Sequence, residues 1–164
     1  MTAASPLFPS LNHDHDGCVR AALDAAEHRC GRRGARLTTL RRRVLELVWS
    51  SHEPIGAYTL LDALKADGQA SAPPTVYRAL EFLLEQGLVH RLERLNAFVG
   101  CARPEEAHAA QFLICTKCGR VAELDDPVID EALRVGAEKQ GFTVIRQTVE
   151  VEGCCPDCQQ ALLA

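Results

Sequence analysis

Apolar residues recur at helical spacing in four successive segments of the first half of the chain, and each segment is bounded by capping or helix-breaking residues. The first stripe, Val19, Leu23, Ala26 and Cys30, predicts a helix from about Gly17 to Arg32. The other stripes are Leu40, Val44, Leu47 and Val48 after a Thr38/Thr39 cap; Tyr58, Leu61 and Leu64 before Asp67-Gly68; and Val76, Leu80, Leu83 and Leu84 between Pro73-Pro74 and Gly87. Two short strands, Leu88 to Arg94 and Ala97 to Cys101, complete a hairpin. This is the element order of a winged helix, whose fourth helix would read a DNA major groove.

The pattern changes type in the second half, after a polar linker from Arg103 to Ala109. It predicts strands over Gln111 to Cys115 and Arg120 to Leu124, a helix from Asp126-Pro127 to Gly141, and a long β segment from Phe142 to Glu152. So short a unit cannot hold a large core unaided, which favours a bound zinc and a second copy of the chain against its sheet. The predicted class is α+β, with a flexible tail over 1–16, a winged-helix DNA-binding domain over 17–101, a hinge over 102–109, and a small α/β dimerisation domain over 110–164.

Charge distribution favours a polyanionic partner although the net charge is −4. Seven arginines and no acidic residue lie between Arg29 and Arg43, and the local field steers a polyanion more than the net charge does. Arg78 lies nearly opposite the apolar stripe of the fourth predicted helix and should point away from the core. A solvated arginine-rich face is the alternative interpretation.

Composition excludes several classes of protein. No apolar run approaches the ~18 residues that would cross a bilayer, and no signal peptide is recognised, so we expect a cytoplasmic protein without a membrane partner. Eight cysteines in a reducing compartment indicate zinc thiolates and buried thiols rather than disulfides. No arrangement of nucleophile and base, no phosphate loop and no carboxylate pair indicates an enzyme or a small-molecule substrate.

Two Cys-x-x-Cys pairs predict a structural zinc site. Cys115 with Cys118, and Cys155 with Cys158, supply four thiolates from two tight turns, which suits tetrahedral Zn²⁺. A thiol-disulfide redox pair is the alternative, but it requires a Cys-x-x-Cys at a helix N-terminus after a strand, and neither pair is predicted to have that context. Cys154 is interpreted as a spare thiol.

A second, mixed set of ligands brackets the predicted hinge: His90, Cys101, His108 and Glu123. Taken singly, each has an ordinary structural explanation, and only their location favours a metal site that joins the two halves. Two imidazoles, one thiolate and one carboxylate suit zinc better than ferrous iron, because thiolate softens the site. His13, Asp14 and His15 form a further candidate metal site in the tail, although a disordered polar segment explains them as well.

Several motifs together resemble the ferric uptake regulator family. They are Leu37-Thr38-x-x-Arg41, the run from Pro73 to Leu80, His90 with Cys101, His108-x-x-Gln111-Phe112, and the paired Cys-x-x-Cys motifs. The resemblance implies an N-terminal winged helix, a C-terminal dimerisation domain, a structural zinc held by four cysteines, and a regulatory metal site at the hinge. Iron- and peroxide-sensing members show a His-His-x-His run, where this chain has only His108 and supplies Cys101. The chain therefore most resembles the zinc-sensing members.

The function expected from this resemblance is a zinc-responsive transcriptional repressor of zinc-uptake and zinc-homeostasis genes, which binds double-stranded operator DNA as a homodimer and holds two Zn²⁺ per chain. Tyr58 and Arg78 match positions at which zinc sensors of the family touch bases. The full set of predicted DNA-binding residues is Tyr58, Thr75, Tyr77, Arg78, Arg36 and Arg41. The alternatives are a zinc-ribbon-stabilised protein-interaction module that never binds DNA, a thiol oxidoreductase, and a family member that senses another metal.

Overall fold

The computed structural model describes residues 7–8, 14–69, 72–106 and 108–163. Within them the chain forms six helices and five strands, which confirms the α+β class. The elements in chain order are α1 (His15–Arg32), α2 (Thr39–Val48), α3 (Ala57–Ala66), α4 (Pro73–Glu85), β1 (Val89–Leu92), β2 (Ala97–Gly100), β3 (Ala110–Cys115), β4 (Val121–Leu124), α5 (Pro127–Glu138), β5 (Thr148–Gly153) and α6 (Pro156–Leu163). Among the described residues, the contacts divide the chain into an N-terminal unit within 14–106 and a C-terminal unit, 108–163 together with 7–8.

Four helices and a hairpin form the N-terminal unit. The start of α2 follows from the Thr38 hydroxyl, which accepts a hydrogen bond from the Arg41 N–H at 3.4 Å. The start of α4 follows from its two leading prolines, which lack the N–H groups that a first helical turn leaves unpaired. The buried faces of the four helices share one core, which includes Leu23, Val44, Leu45, Leu60, Leu64, Val76, Leu80 and Leu83.

The hairpin of β1 and β2 is antiparallel and follows α4 directly. Ile55 and Phe98 exchange two backbone hydrogen bonds, of 3.0 and 2.9 Å, which tie the segment before α3 to β2. Trp49 packs so closely over Gly100 that a Cβ added there would lie 2.1 Å from its indole ring. The hairpin is therefore fixed to the helices at two points on β2.

A three-stranded sheet of order β4-β3-β5 forms the centre of the C-terminal unit. Strand β3 pairs antiparallel with β4 and parallel with β5. The buried Gln111 side chain joins the sheet to α5: its amide NH₂ donates to the Asp126 carbonyl at 3.0 Å, and its oxygen accepts from the Asp126 N–H at 3.3 Å. Both ends of a buried polar group are thus satisfied.

One sequence prediction in this unit is wrong, and one helix has no counterpart among the predictions. The long β segment from Phe142 is limited to Thr148–Gly153, because Thr148 pairs with Ala110, the first residue of β3, and the preceding residues have no facing strand among those described. Helix α6 was not predicted at all. It begins at Pro156, inside the second Cys-x-x-Cys.

Apolar residues of the C-terminal unit are unusually exposed. Helix α5 has no buried residue along its described length, although the sequence gives it an amphipathic pattern. The exposed large side chains are Val128, Leu133, Phe142, Ile145 and Val151. A single chain therefore leaves a large apolar surface in contact with water.

No helix in the described ranges is both long enough and apolar enough to cross a membrane. His13, one of the residues of the candidate tail site, lies outside the described residues. Its neighbour Asp14 caps α1 by accepting a hydrogen bond from the Gly17 N–H at 3.0 Å. Helix α1 thus begins two residues before the predicted start.

Candidate metal centres and nucleic-acid interface

The four cysteines of the two Cys-x-x-Cys pairs converge in the C-terminal unit. Their sulfur atoms all lie within 4.8 Å of one another, and the sulfurs of Cys118 and Cys155 are 3.8 Å apart. A tetrahedral zinc ion with Zn–S bonds of about 2.3 Å places its sulfurs about 3.8 Å apart. The four side chains therefore fit Zn²⁺ in number, chemistry and spacing.

Local backbone geometry brings these sulfurs together. Gly119 adopts φ +76°, a conformation that favours glycine, and its N–H donates to the Cys115 carbonyl at 2.9 Å, which closes the first turn. The parallel pairing of β3 with β5 sets Cys115 beside Gly153, so the second turn starts next to the first. The Cys155 N–H then donates to the Cys115 sulfur at 3.3 Å.

Arg120 is a member of this site that sequence reasoning missed. Its side chain is only 9% exposed, and it donates from Nε to the Cys118 sulfur at 3.4 Å and from Nη2 to the Cys155 sulfur at 3.3 Å. Nη2 also lies 2.7 Å from the Asp157 carboxylate. The hydrogen bond from Arg120 lowers the pKa of Cys118. A single arginine two residues after Cys118 has no distinctive spacing, so only the fold identifies it.

The thiols differ in acidity. Burial by itself raises the pKa of Cys115, but backbone N–H groups of Cys155, Cys118 and Lys117 point at its sulfur and lower the pKa to about 5. Cys158 behaves oppositely, because its hydrogen bond to Cys155 and its burial raise the pKa to about 12. Four close thiolates repel one another, so the full set of charges requires a cation at its centre.

The expected context of the second Cys-x-x-Cys needs correction. Cys155 and Cys158 do follow a strand and lie at the start of a helix, since β5 ends at Gly153 and α6 begins at Pro156. That is the context that a redox pair requires. The presence of two further cysteines within 4.8 Å nevertheless favours metal binding, because a dithiol redox site uses one pair.

The four residues predicted to form a hinge site lie as two pairs, one in each unit. In the N-terminal unit, His90 pairs with Val99 across the hairpin, and Cys101 lies two residues further along, so both side chains are on the same face. Their ligand atoms are within 4.8 Å of each other, and Cys101 is buried. In the C-terminal unit, His108 Nε2 lies 2.5 Å from a carboxylate oxygen of Glu123. Each pair thus has its ligand atoms in place.

Most of the arginine cluster has a structural role. Arg29 donates to the Gln86 carbonyl, Arg32 to the Glu105 carboxylate at 3.1 Å, and Arg33 to the Glu85 carbonyl at 3.5 Å. Arg42 pairs with Glu27, and Arg43 makes a bidentate pair with Asp67. Most of these contacts join helices of the N-terminal unit, and Arg32 ties α1 to the segment after the hairpin. Fewer arginines are therefore available to phosphate than the sequence suggests.

Arg41 also has contacts within the unit. Its guanidinium lies 3.6 Å above the centre of the Phe82 ring, and Nη1 donates to the Arg36 carbonyl at 2.7 Å. The side chains of Arg36 and Arg78 are exposed and make no hydrogen bond or ion pair with any described residue.

The exposed face of α4 carries the other predicted contact residues. A groove of about 220 Å³ between the starts of α2 and α4 is lined by Thr38, Leu40, Arg41, Thr75, Arg78 and Ala79. Tyr77 is exposed beside Arg78, and Tyr58, at the start of α3, is 69% exposed. The N-terminal unit thus presents two arginines whose side chains pair with no described residue, together with two exposed tyrosines, which is the chemistry of a nucleic-acid interface.

Comparison with known proteins gives consistent results. The chain is 39% identical over 137 residues to the zinc uptake regulation protein of Escherichia coli (strain K12), covering 83% of this chain and 80% of that protein. It is similar to a solved zinc uptake regulator complexed with zinc and DNA, with a TM-score of 0.84, 37% identity, and coverage of 89% of this chain and 98% of that one. It is also similar to the crystal structure of holo XcZur, with a TM-score of 0.79, 44% identity, and coverage of 85% of this chain and 98% of that one. Residues 32–152 match the model of the ferric uptake regulator family, and the chain belongs to that family.

Proposed function

We propose that this protein is a zinc-responsive, DNA-binding transcriptional repressor of zinc-uptake and zinc-homeostasis genes, which acts in the cytoplasm as a homodimer. The observation that carries this proposal is the His90 and Cys101 pair, a zinc-type ligand pair on the hairpin that directly follows α4. The relatives are a zinc uptake regulation protein and a regulator complexed with zinc and DNA. The family consists of transcription regulators, which agrees with a non-enzymatic role.

Two Zn²⁺ per chain are proposed, with different roles. Cys115, Cys118, Cys155 and Cys158 would hold the structural ion, and the 3.8 Å sulfur separation supports that assignment. His90, Cys101, His108 and Glu123 would hold the regulatory ion, with the thiolate and two imidazoles favouring zinc over harder divalent ions. Because the latter four residues come from both units, filling this site would favour one arrangement of the units over others, which is the condition for a metal to switch DNA binding.

DNA recognition is assigned to the N-terminal unit as a winged helix. The limits predicted from the sequence are 17–101 for this domain, 102–109 for a hinge and 110–164 for a second domain, and the first limit moves to His15, where α1 begins. Arg78 and Tyr77 would face base edges from α4, with Tyr58 beside them, and Thr75, Arg36 and Arg41 would contact phosphates. The groove between α2 and α4 supports this placement, because it is open and is lined by Thr75, Arg41 and Arg78. The contacts that hold Arg41 in the fold leave Arg36 as the more accessible cation.

Homodimerisation is assigned to the C-terminal unit. Strand β5 lies at an edge of the sheet, and Val151 on it is 49% exposed. Ile145, 98% exposed, and Phe142, 65% exposed, lie in the segment before it. A second copy packed on this surface would remove the exposed apolar area from water and place two DNA-binding units on one duplex.

Two measurements test the proposal. Native mass spectrometry of the full chain should give a dimer with at least two Zn²⁺ per chain. Selection from random duplexes with buffered zinc should then enrich an inverted repeat, because a two-fold dimer reads two half-sites. A zinc-bound protein that enriches no sequence would support the protein-interaction module, and enrichment with Fe²⁺ or Mn²⁺ but not with Zn²⁺ would indicate a sensor of another metal.

A further inference from the structure

A third group of metal-ligating side chains lies within the N-terminal unit and shares no residue with either proposed zinc site. It consists of His15 and Cys18 in the first turn of α1 and His52 in the turn after α2. Their ligand atoms all lie within 4.8 Å of one another, and each residue is partly exposed. The fold therefore brings together two imidazoles and one thiol that are far apart in the sequence.

Helix geometry explains two of the three ligands. Residues three apart lie on the same face of a helix, so His15 and Cys18 point the same way. The Asp14 side chain fixes the start of this helix through its hydrogen bond to the Gly17 N–H, which sets the position of both ligands. The pair is thus held on a rigid element, as a metal site requires.

The third ligand arrives from a different part of the unit. The rings of His15 and His52 have centroids 4.9 Å apart and planes at 70°. His52 is held in place from both sides, because α2 ends at Val48, and Ile55 is hydrogen-bonded to Phe98. An edge-to-face contact of two rings is the simpler role for these histidines, but it does not account for a cysteine at the same point.

We propose that His15, Cys18 and His52 form a third zinc site, located in the DNA-binding unit. A metal ion with bonds of about 2.0–2.3 Å places its ligands about 3.3–3.8 Å apart, so small rotations of these side chains complete a coordination shell. Two imidazoles and a thiolate suit Zn²⁺ and exclude Mg²⁺ and Ca²⁺. Three protein ligands leave one position for water.

Occupancy of this site has a consequence for the neighbouring turn. It would join the first turn of α1 to the turn before α3, the helix that starts next to Tyr58. Because three ligands bind more weakly than four thiolates, the site should fill only after the structural site. The proposal is independent of the regulatory site and holds whether or not the protein represses transcription.

Protection of Cys18 from alkylation tests the proposal at the level of one residue. The full chain, with its structural zinc retained, is treated with iodoacetamide at several buffered zinc concentrations, and the tryptic peptide ending at Arg20, whose only cysteine is Cys18, is quantified. Zinc should slow alkylation at least about tenfold, because a metal-bound thiolate is a poor nucleophile. An unchanged rate would overturn the proposal.

Matched variants identify the ligands. In His15→Ala and in His52→Ala, zinc should slow the alkylation of Cys18 by less than about twofold, because a single imidazole and a thiolate hold zinc weakly. His28 is an exposed histidine on the same helix, and His28→Ala should keep the full protection of Cys18 by zinc. Circular dichroism confirms that each variant is folded. Full protection in a folded His15→Ala, His52→Ala double variant would assign the effect to other ligands and reject this site.

Discussion

Replacing Arg120 with methionine tests whether a buried arginine tunes the structural zinc site. The substitution keeps a long apolar side chain but removes both N–H···S hydrogen bonds, of 3.4 and 3.3 Å, and the contact with Asp157. A tetrathiolate zinc centre carries two negative charges, and Arg120 is the charged group that donates to two of its sulfurs. The loss should therefore weaken zinc binding without unfolding the chain.

The expected size of this effect follows from the two contacts. Hydrogen bonds to charged groups contribute about 1.5–3 kcal/mol each, but zinc itself neutralises much of the thiolate charge, so the sum is an upper limit. Loss of a residue that supports metal ligands typically lowers affinity about 10- to 100-fold, or about 1.4–2.8 kcal/mol. We expect a value in this range.

Competition with a chromogenic chelator measures the affinity directly. The control is Asp157→Asn, because Asp157 is 51% exposed and its loss leaves the sulfur contacts of Arg120 in place. This control should weaken zinc binding by no more than about fivefold, the limit for a surface ion pair. If Arg120→Met and the control release zinc at the same chelator concentration as the wild type, the guanidinium does not act on the site.

Three further predictions concern folding, recognition and pH. Cys118→Ser should give an unfolded or monomeric C-terminal unit in ultracentrifugation, because binding of structural zinc contributes on the order of 10 kcal/mol to folding. A fully folded dimer of this variant would show that Cys118 does not hold the structural zinc. Arg78→Ala should lose about 1–3 kcal/mol of binding free energy on the selected operator and much less on random duplex. Arg36→Ala should weaken binding to both duplexes alike and lower the slope of log affinity against log salt by about 0.9. If Arg78→Ala distinguishes operator from random duplex as well as the wild type does, the assignment of α4 is contradicted. Hydrogen bonds from Arg43 lower the pKa of Asp67, so this pair stabilises the fold above the unfolded pKa of about 3.9 and ceases to do so as the pH falls through the lower folded value. The stability difference between wild type and Asp67→Asn, followed by fluorescence of the single tryptophan, should therefore vanish in acid, and a constant difference would contradict it.

Local chemistry explains why most elements were predictable. Thr38 and Asp126 each cap a helix by accepting a backbone hydrogen bond, and Pro73 leads another, so these starts are encoded within a few residues. The error over 142–147 has the opposite origin, because a strand needs a partner, and β3 begins too late to supply one. Helix α6 has no separate signal in the sequence, because its start at Pro156 coincides with the second Cys-x-x-Cys.

The residues of the metal sites also differ in whether the local sequence or only the tertiary structure identifies them. The four structural cysteines were predictable because their spacing alone indicates two ligand turns. Arg120 and His52 were not, since each reaches its site only through tertiary structure. The arginine cluster shows the reverse error: its composition suggested a phosphate-binding face, but the structure uses Arg29 and Arg43, among others, to join helices.

Operator binding against buffered free zinc is the most direct test of the central claim that the protein is a zinc-responsive repressor. Fluorescence anisotropy should show half-maximal binding at a defined free zinc concentration for the wild type. Cys101→Ser keeps the size of the side chain but removes the soft thiolate, so it should remain a folded dimer with its structural zinc and require much higher zinc to bind. Wild-type zinc dependence in Cys101→Ser, or wild-type operator binding that is the same with and without free zinc, would contradict the account.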